Sequence, residues 1–377
     1  MEIRFGLISA DSHVVTDRNA FLDRMSKGKF GERIPQVREV ETKGQKTDRW
    51  VVNGRPLGSR GVVNCPAVMG DPDRNAYPQR WDEVPAKAFV PIERLKALDA
   101  DGIDAEVLFH NDPSSFHQYN DADFELACVQ AYNDRLVEEW ASVSSRFIPQ
   151  CLVPIAPVSA TVAEIKRAVQ SGHRGVIFPA APMHLRGVPH INSSDYDPVW
   201  ATCQELDVPL CFHAGSAPDL FQFPLSPNLA PALAAALQSV TRPASAVFDL
   251  ANILFSRILL RFSKLKVVFA ESTIGWGTFF LEYADHQYEQ DHCNYELKPS
   301  EMFRRQCYLT AWYDPVKLNA RHIGAENILW ATNFPMANST WPDSQTFVTN
   351  CLKGMTDDER QQIVWENATR VYKIADN

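Results

Sequence analysis

The chain has no surplus of positive charge: 37 lysines and arginines stand against 46 acidic residues, a formal net charge of -9 over 377 residues. Nucleic acid and anionic membrane surfaces are bound through basic patches, so neither is an expected partner, and a small molecule is. No stretch reaches the ~18 continuous apolar residues needed to cross a bilayer. Met1-Glu2-Ile3-Arg4-Phe5-Gly6-Leu7 carries no basic leader, apolar signal core or small-residue cleavage site, so the expected location is cytoplasmic. The Asn-x-Ser/Thr sequons at Asn192, Asn338 and Asn367 then carry no weight. The eight cysteines form no Cys-x-x-Cys pair, and Cys128, Cys151, Cys211 and Cys307 lie in apolar segments. That pattern argues against a disulfide framework or structural zinc site and for buried, reduced thiols. There is no sequence repeat and no low-complexity tract.

What the chain does have is 45% hydrophobic residues, enough for a large core, and a regular alternation of element types. Short β-branched or aromatic runs recur at Phe5 to His13, Ala105 to His110, Phe147 to Ile155, Gly175 to Pro179, Val208 to Ala214, Lys266 to Glu271, Gln306 to Trp312 and Asn327 to Pro335. Between them lie segments of helical period such as Phe124 to Ser145, Val162 to Ser171 and Asp197 to Leu206. Parallel strands need crossover connections, so strands alternating with helices imply a parallel sheet, and eight such units imply a closed α/β (β/α)8 TIM barrel. The whole chain, 1–377, is expected to be one such domain. A last helix, about Thr356 to Lys373, opens with Thr356-Asp357-Asp358-Glu359, the spacing of a capping box. Thr16 to Phe89, after the first strand, is far longer than an ordinary connection. Its part at about 27–85 is expected to be a lid that sets substrate specificity. A second enlargement, Ser216 to about Phe262, follows strand five and looks mostly helical.

Barrel enzymes draw their functional groups from the C-terminal strand ends. Strand one ends on Asp11-Ser12-His13, and side chains two apart on a strand share a face, so a carboxylate and an imidazole converge there. Such a pair begins a metal or proton-transfer site. His110 closes strand two and His213 strand five, Glu271-Ser272 follow strand six, and Asn333-Phe334-Pro335 end strand eight. Glu271 has two open readings: a proton-transfer group whose pKa burial raises, or a partner of a nearby arginine that holds the strand end. His110, with Asn111 and Asp112 beside it, is a candidate substrate contact, and Trp276 and Trp341 are candidate pocket walls. His184 and Arg186 are candidate contacts for an anionic substrate.

Asp11-Ser12-His13-Val14-Val15, Leu95 to Gly102, His213-Ala214-Gly215, Glu271-Ser272-Thr273-Ile274-Gly275-Trp276, Asn333-Phe334-Pro335 and Ser339-Thr340-Trp341-Pro342 together resemble the amidohydrolase-2 family. This is the aminocarboxymuconate-semialdehyde decarboxylase-like branch of the amidohydrolase superfamily. The resemblance spans the chain apart from the insert at about 27–85. It implies a barrel with one divalent metal, zinc or manganese, held by Asp11, His13 and His213, and a homo-oligomer. Strand four ends without the lysine that bridges two metals in some relatives. Relatives that look active carry an Asp on strand eight, where this chain has Asn333, and often a Glu where it has Thr16. Asn333 offers a neutral oxygen that cannot act as a base, so it is expected to weaken the metal site and to serve at most as a ligand or substrate contact. Three activities follow. One is a metal-dependent hydrolase or non-oxidative decarboxylase acting on a small cyclic or carboxylated molecule, with Glu271 or His213 moving the proton. Another is a metal-independent acid–base enzyme using Asp11, Glu271 and the histidines. The third is a catalytically weakened barrel that binds a ligand or partner.

Overall fold

Ile8–Val14 (β1) is buried at every position, as a strand covered on both faces must be. The computed structural model describes residues 3–42, 44–58, 61–69, 76–111, 113, 116–214 and 229–374. After β1 come three antiparallel strands, Gln36–Thr42 (β2), Gln45–Val52 (β3) and Arg55–Pro56 (β4), in a sheet of their own. Ala105–His110 (β5), Phe147–Pro149 (β6) and Cys151–Leu152 (β7) follow, then Val176–Ile177 (β8) and Leu210–His213 (β9). Val267–Ala270 (β10), Cys307–Ala311 (β11) and Ile328–Trp330 (β12) complete the set.

β1, β5 and β6 pair in parallel, and so do β7 to β12 in sequence order. The two sheets are one ring. β6 and β7 are a single run interrupted at Gln150, whose N–H still donates to the Leu108 carbonyl at 3.2 Å. The seam on the other side is closed by two backbone bonds, His13 N–H to the Phe334 carbonyl at 2.6 Å and Asn333 N–H to the Asp11 carbonyl at 3.0 Å. The expected eight-stranded barrel is therefore present, with most strands shorter than the apolar runs that announced them. Strand eight ends at Trp330; Ala331 N–H still donates to the Ala311 carbonyl at 2.9 Å, and residues 332–334 then turn across β1.

The helices lie where the 3.6-residue period places them. Ala122–Arg135 passes directly into a π turn at Leu136–Ala141, and Val158–Ser171 and Asp197–Leu206 follow. Thr356 Oγ1 accepts the Glu359 N–H at 3.2 Å and Glu359 accepts the Thr356 N–H at 2.8 Å, the expected capping box. The segment expected only as a lid contains the β2–β3–β4 sheet, whose strands carry no period-2 signal. β2 reads Gln-Val-Arg-Glu-Val-Glu-Thr, with its valines three apart rather than two, so no strand period shows. This segment has a small core of its own, Val62, Val63, Cys65, Trp81, Val84 and Ala88, seated on Val15 just past β1. The later enlargement after β9 is helical as expected where described, at Pro231–Thr241 and Ala244–Phe255; 215–228 lie outside the described residues.

Candidate metal and active site

The parallel registers bring the site together. His13 pairs with Phe109 and Val14 with His110 across β1 and β5, while His213 pairs with Ala270 across β9 and β10, one residue before Glu271. Glu271 and Asn333 sit just beyond their strands at φ 50° and φ 56°. A non-glycine residue in this left-handed region costs about 1–3 kcal/mol and persists only where its surroundings impose it. Both turns bring a polar side chain to the same place, as Asn333 Nδ2 donates to Glu271 Oε1 at 3.0 Å.

Asp11, His13 and His213 are all buried, and their ligand atoms lie within 4.8 Å of one another. Asp11 Oδ1 is 3.6 Å from His13 Nε2 and 3.5 Å from His213 Nε2. Each imidazole is turned by a backbone carbonyl at its other nitrogen: His13 Nδ1–H donates to His110 O at 2.8 Å, and His213 Nδ1–H to Ala214 O at 3.1 Å. Each Nε2 of the neutral ring is therefore a lone pair aimed at Asp11. Asn333 adds another. Its Nδ2 hydrogens are taken by Glu271 and, at 2.9 Å, by Asn338, which fixes Oδ1 toward His13 Nε2 at 3.0 Å. Among the described residues, the two buried oxygens of Asp11 and the buried Nε2 of His213 have no hydrogen-bond partner. Acceptors that converge with no donor among them suit a cation, so the donor set fits one divalent ion with nitrogen and oxygen ligands.

The electrostatics separate the histidines. Burial lowers the pKa of His13, outweighing the pull of Asp11. Burial also opposes a charge on His213, but Asp11 beside it and Glu271 behind it hold its pKa above the ordinary histidine value. His110 lies at the rim with its ring centroid 6.2 Å from that of His213, and burial, together with His213 and His13, pushes its pKa well below normal. Its buried Nδ1 has no hydrogen-bond partner among the described residues.

Glu271 answers the open question of the sequence in part. Burial alone would raise its pKa, but Arg242, His213 and His13 outweigh it and leave the pKa lowered. Arg242 donates to Glu271 Oε1 at 2.7 Å, and Glu271 Oε2 stands 3.7 Å from His213 Nδ1. The expectation of a raised pKa thus fails because of an arginine 29 residues upstream, between the two helices of the enlarged segment. Arg242 itself was missed, since nothing in its local sequence links it to β10.

The other expected contacts have surroundings of their own. Trp276 gives its indole N–H to the Ser272 carbonyl at 2.8 Å and meets Phe280 edge-on, packing on the barrel core. Trp341 donates to Ala97 O at 3.2 Å and carries the Lys87 ammonium 4.1 Å above its ring. His184 is exposed on the single turn Pro182–His184. Arg186 is committed to Glu125 and the Tyr119 carbonyl and is not open to an anion. Asn111 donates to Asn64 O at 3.4 Å, which brings the insert to the end of β5, while Asp112 and Gly215 lie outside the described residues.

A model of the amidohydrolase family matches residues 15–374. The chain belongs to the amidohydrolase family. It is thus an enzyme of the amidohydrolase superfamily. Gamma-resorcylate decarboxylase of Polaromonas sp. is 23% identical over 323 residues, 78% of this amidohydrolase and 91% of that protein. A decarboxylase, orsB, of Emericella nidulans is 30% identical over 122 residues, 32% of this chain and about a third (34%) of that protein's length. Among solved structures, an amidohydrolase from Mycobacterium avium subsp. paratuberculosis superposes with a TM-score of 0.74 at 20% identity, covering 97% of this chain and 98% of that one. A dihydroxybenzoic acid decarboxylase from Polaromonas sp., with bound manganese and the inhibitor 2-nitroresorcinol, gives 0.67 at 19% identity over 99% and 98%. These likenesses establish the barrel. No helix among the described residues of this amidohydrolase is long and apolar enough to cross a membrane.

Proposed function

We propose that this amidohydrolase is a metal-dependent carboxy-lyase that removes CO2 from a small carboxylated, hydroxyl-bearing ring. The observation that carries the reading is the convergence of Asp11, His13 and His213, three buried ligands within 4.8 Å of one another, of which both Asp11 oxygens and His213 Nε2 have no hydrogen-bond partner among the described residues. The Polaromonas relative, matched over nearly its whole length, supports decarboxylation as the reaction. Asp11 Oδ1 and the two Nε2 atoms would hold the ion, with Asn333 Oδ1 beside them. When bound, the ion supplies Lewis-acid polarisation of a carboxylate or carbonyl oxygen.

This chain's residues then divide the remaining work. His13 and His213 keep their tautomers through His110 O and Ala214 O, so neither ring turns away from Asp11. His110 Nδ1 faces the incoming molecule at the rim and orients it. Glu271 passes a solvent proton to the ring carbon that loses CO2, the task Asn333 cannot perform. Arg242 and Asn333 hold the Glu271 carboxylate in place on the side away from His213.

One observation favours a second reading, hydrolysis of a small cyclic amide or ester. Glu271 is held as a carboxylate, which suits a base acting on water. The product distinguishes the two. With manganese-loaded protein and a panel of hydroxybenzoates, we expect stoichiometric CO2 release, lowered about 10²- to 10⁴-fold in Glu271→Gln with metal content unchanged. A ring-opened or hydrolysed product without CO2 would select the second reading, and an unimpaired Glu271→Gln would remove Glu271 from both.

A further inference from the structure

A second group of charged side chains lies on the rim, on the arc from β5 to β8 that runs between β1 and β9. His117, in the single turn Phe116–Gln118 after β5, is 8% exposed. Its Nδ1–H donates to Oε1 of Glu125 at 2.9 Å. Glu125 belongs to the helix Ala122–Arg135 and is fully buried. The N–H of Ile155, just past β7, donates to the same oxygen at 2.9 Å, and Arg186, from the segment after β8, pairs with the other. Three neighbouring strand ends are thus gathered on one buried carboxylate.

The carboxylate and the arginine suffice to tie these segments together; the histidine adds something else. Because Glu125 takes Nδ1–H, the neutral ring carries its lone pair on Nε2. Among the described residues that nitrogen has no hydrogen-bond partner. His117 also lies close enough to His110 for a charge on it to count against one there. The result is an oriented hydrogen-bond acceptor in the turn after β5, near His110.

We propose that His117 is a specificity residue: its Nε2 accepts a hydrogen bond from a ring hydroxyl of the substrate while the substrate's carboxylate lies at Asp11, His13 and His213. Glu125 is the positioning residue that fixes the tautomer. The proposal rests on the carboxy-lyase reading for the carboxylate end. A hydroxyl held this way feeds electron density into the ring, which eases its protonation at the carbon bearing the carboxylate.

The test uses manganese-loaded wild type, His117→Phe, His117→Gln and Glu125→Gln, each checked for metal content and thermal midpoint, with benzoates that carry or lack the ring hydroxyl. His117→Phe is expected to lose about 10- to 100-fold in kcat/KM on the hydroxylated substrate alone, the worth of a buried hydrogen bond to a polar group. Glu125→Gln should lose part of the same preference, and His117→Gln should replace His117→Phe if the latter misfolds. Equal losses on both substrates, or none, would overturn the proposal and leave His117 a structural tie. If wild type releases CO2 from no benzoate, the carboxy-lyase reading fails instead. Calorimetric binding of the same two ligands then decides: a hydroxyl-dependent affinity lost in His117→Phe supports the role of His117, and an unchanged affinity overturns it.

Discussion

Asn333 is held through its amide nitrogen: Nδ2 donates to Glu271 and to Asn338, which turns Oδ1 toward His13 Nε2 at 3.0 Å. The amide is therefore not simply a lost carboxylate. An Asp at this position would set two carboxylates 3.0 Å apart with no proton between them. Asn333→Asp is thus expected to cost the metal-free protein about 1–3 kcal/mol, the penalty for a buried polar group without its partner. Adding manganese should restore that loss, because a second carboxylate strengthens a divalent site. Thermal melts with and without manganese check this, and the metal-induced rise should exceed that of wild type. The sequence disclosed Asp11 and His13 because their spacing puts them on one face at a strand end, and His213 because it closes an apolar run. It could not disclose Arg242, His117 or the orientation of Asn333. Those depend on partners from elements distant in sequence, and on which end of a symmetric-looking amide points inward.

Elements carry the site through their junctions. Arg94 on the helix Pro91–Asp101 is fully buried, pairs with Glu106 of β5 at 3.0 Å, and donates to the His13 carbonyl. Its guanidinium also lies 4.3 Å over Phe334, so one side chain holds β1, β5 and the turn after β12 in register. Ser9, Ser12 and Thr332 add a closed set of hydroxyl bonds at the same seam. Helix Ala244–Phe255 is tied less evenly. Its Asp249 accepts one long bond, 3.3 Å from the N–H of Ala181, and its buried Oδ2 has no partner among the described residues. Burial raises the Asp249 pKa from 3.8 to about 8. A carboxyl that binds its proton more tightly when folded makes stability fall as pH rises between those two values. Asp249→Asn should therefore raise the thermal midpoint little at pH ~4 and most above pH ~8. Melts across that range test it, and a uniform shift would contradict it. Helices and barrel strands were legible because buried parallel strands read as apolar runs between helical periods. β2 and β3 were not, because charged residues crowd an edge sheet and erase the alternation.

The whole molecule is a barrel whose ring closes at the seam where the proposed ligands meet. β1, β9 and the turn after β12 supply Asp11, His13, His213 and Asn333, while β5, β7 and β8 carry His110, His117 and the segments fixed by Glu125 and Arg186. The insert, through Asn64 and its own small core on Val15, reaches the end of β5. The proposed function requires that Asp11, His13 and His213 hold one metal ion. Elemental analysis of purified protein after equilibration with manganese or zinc, compared with an Asp11→Ala/His213→Ala variant of matching circular dichroism, tests this most directly. We expect about one tightly held ion per chain in wild type and essentially none in the variant. Equal metal content in both proteins, or none in wild type, would contradict it.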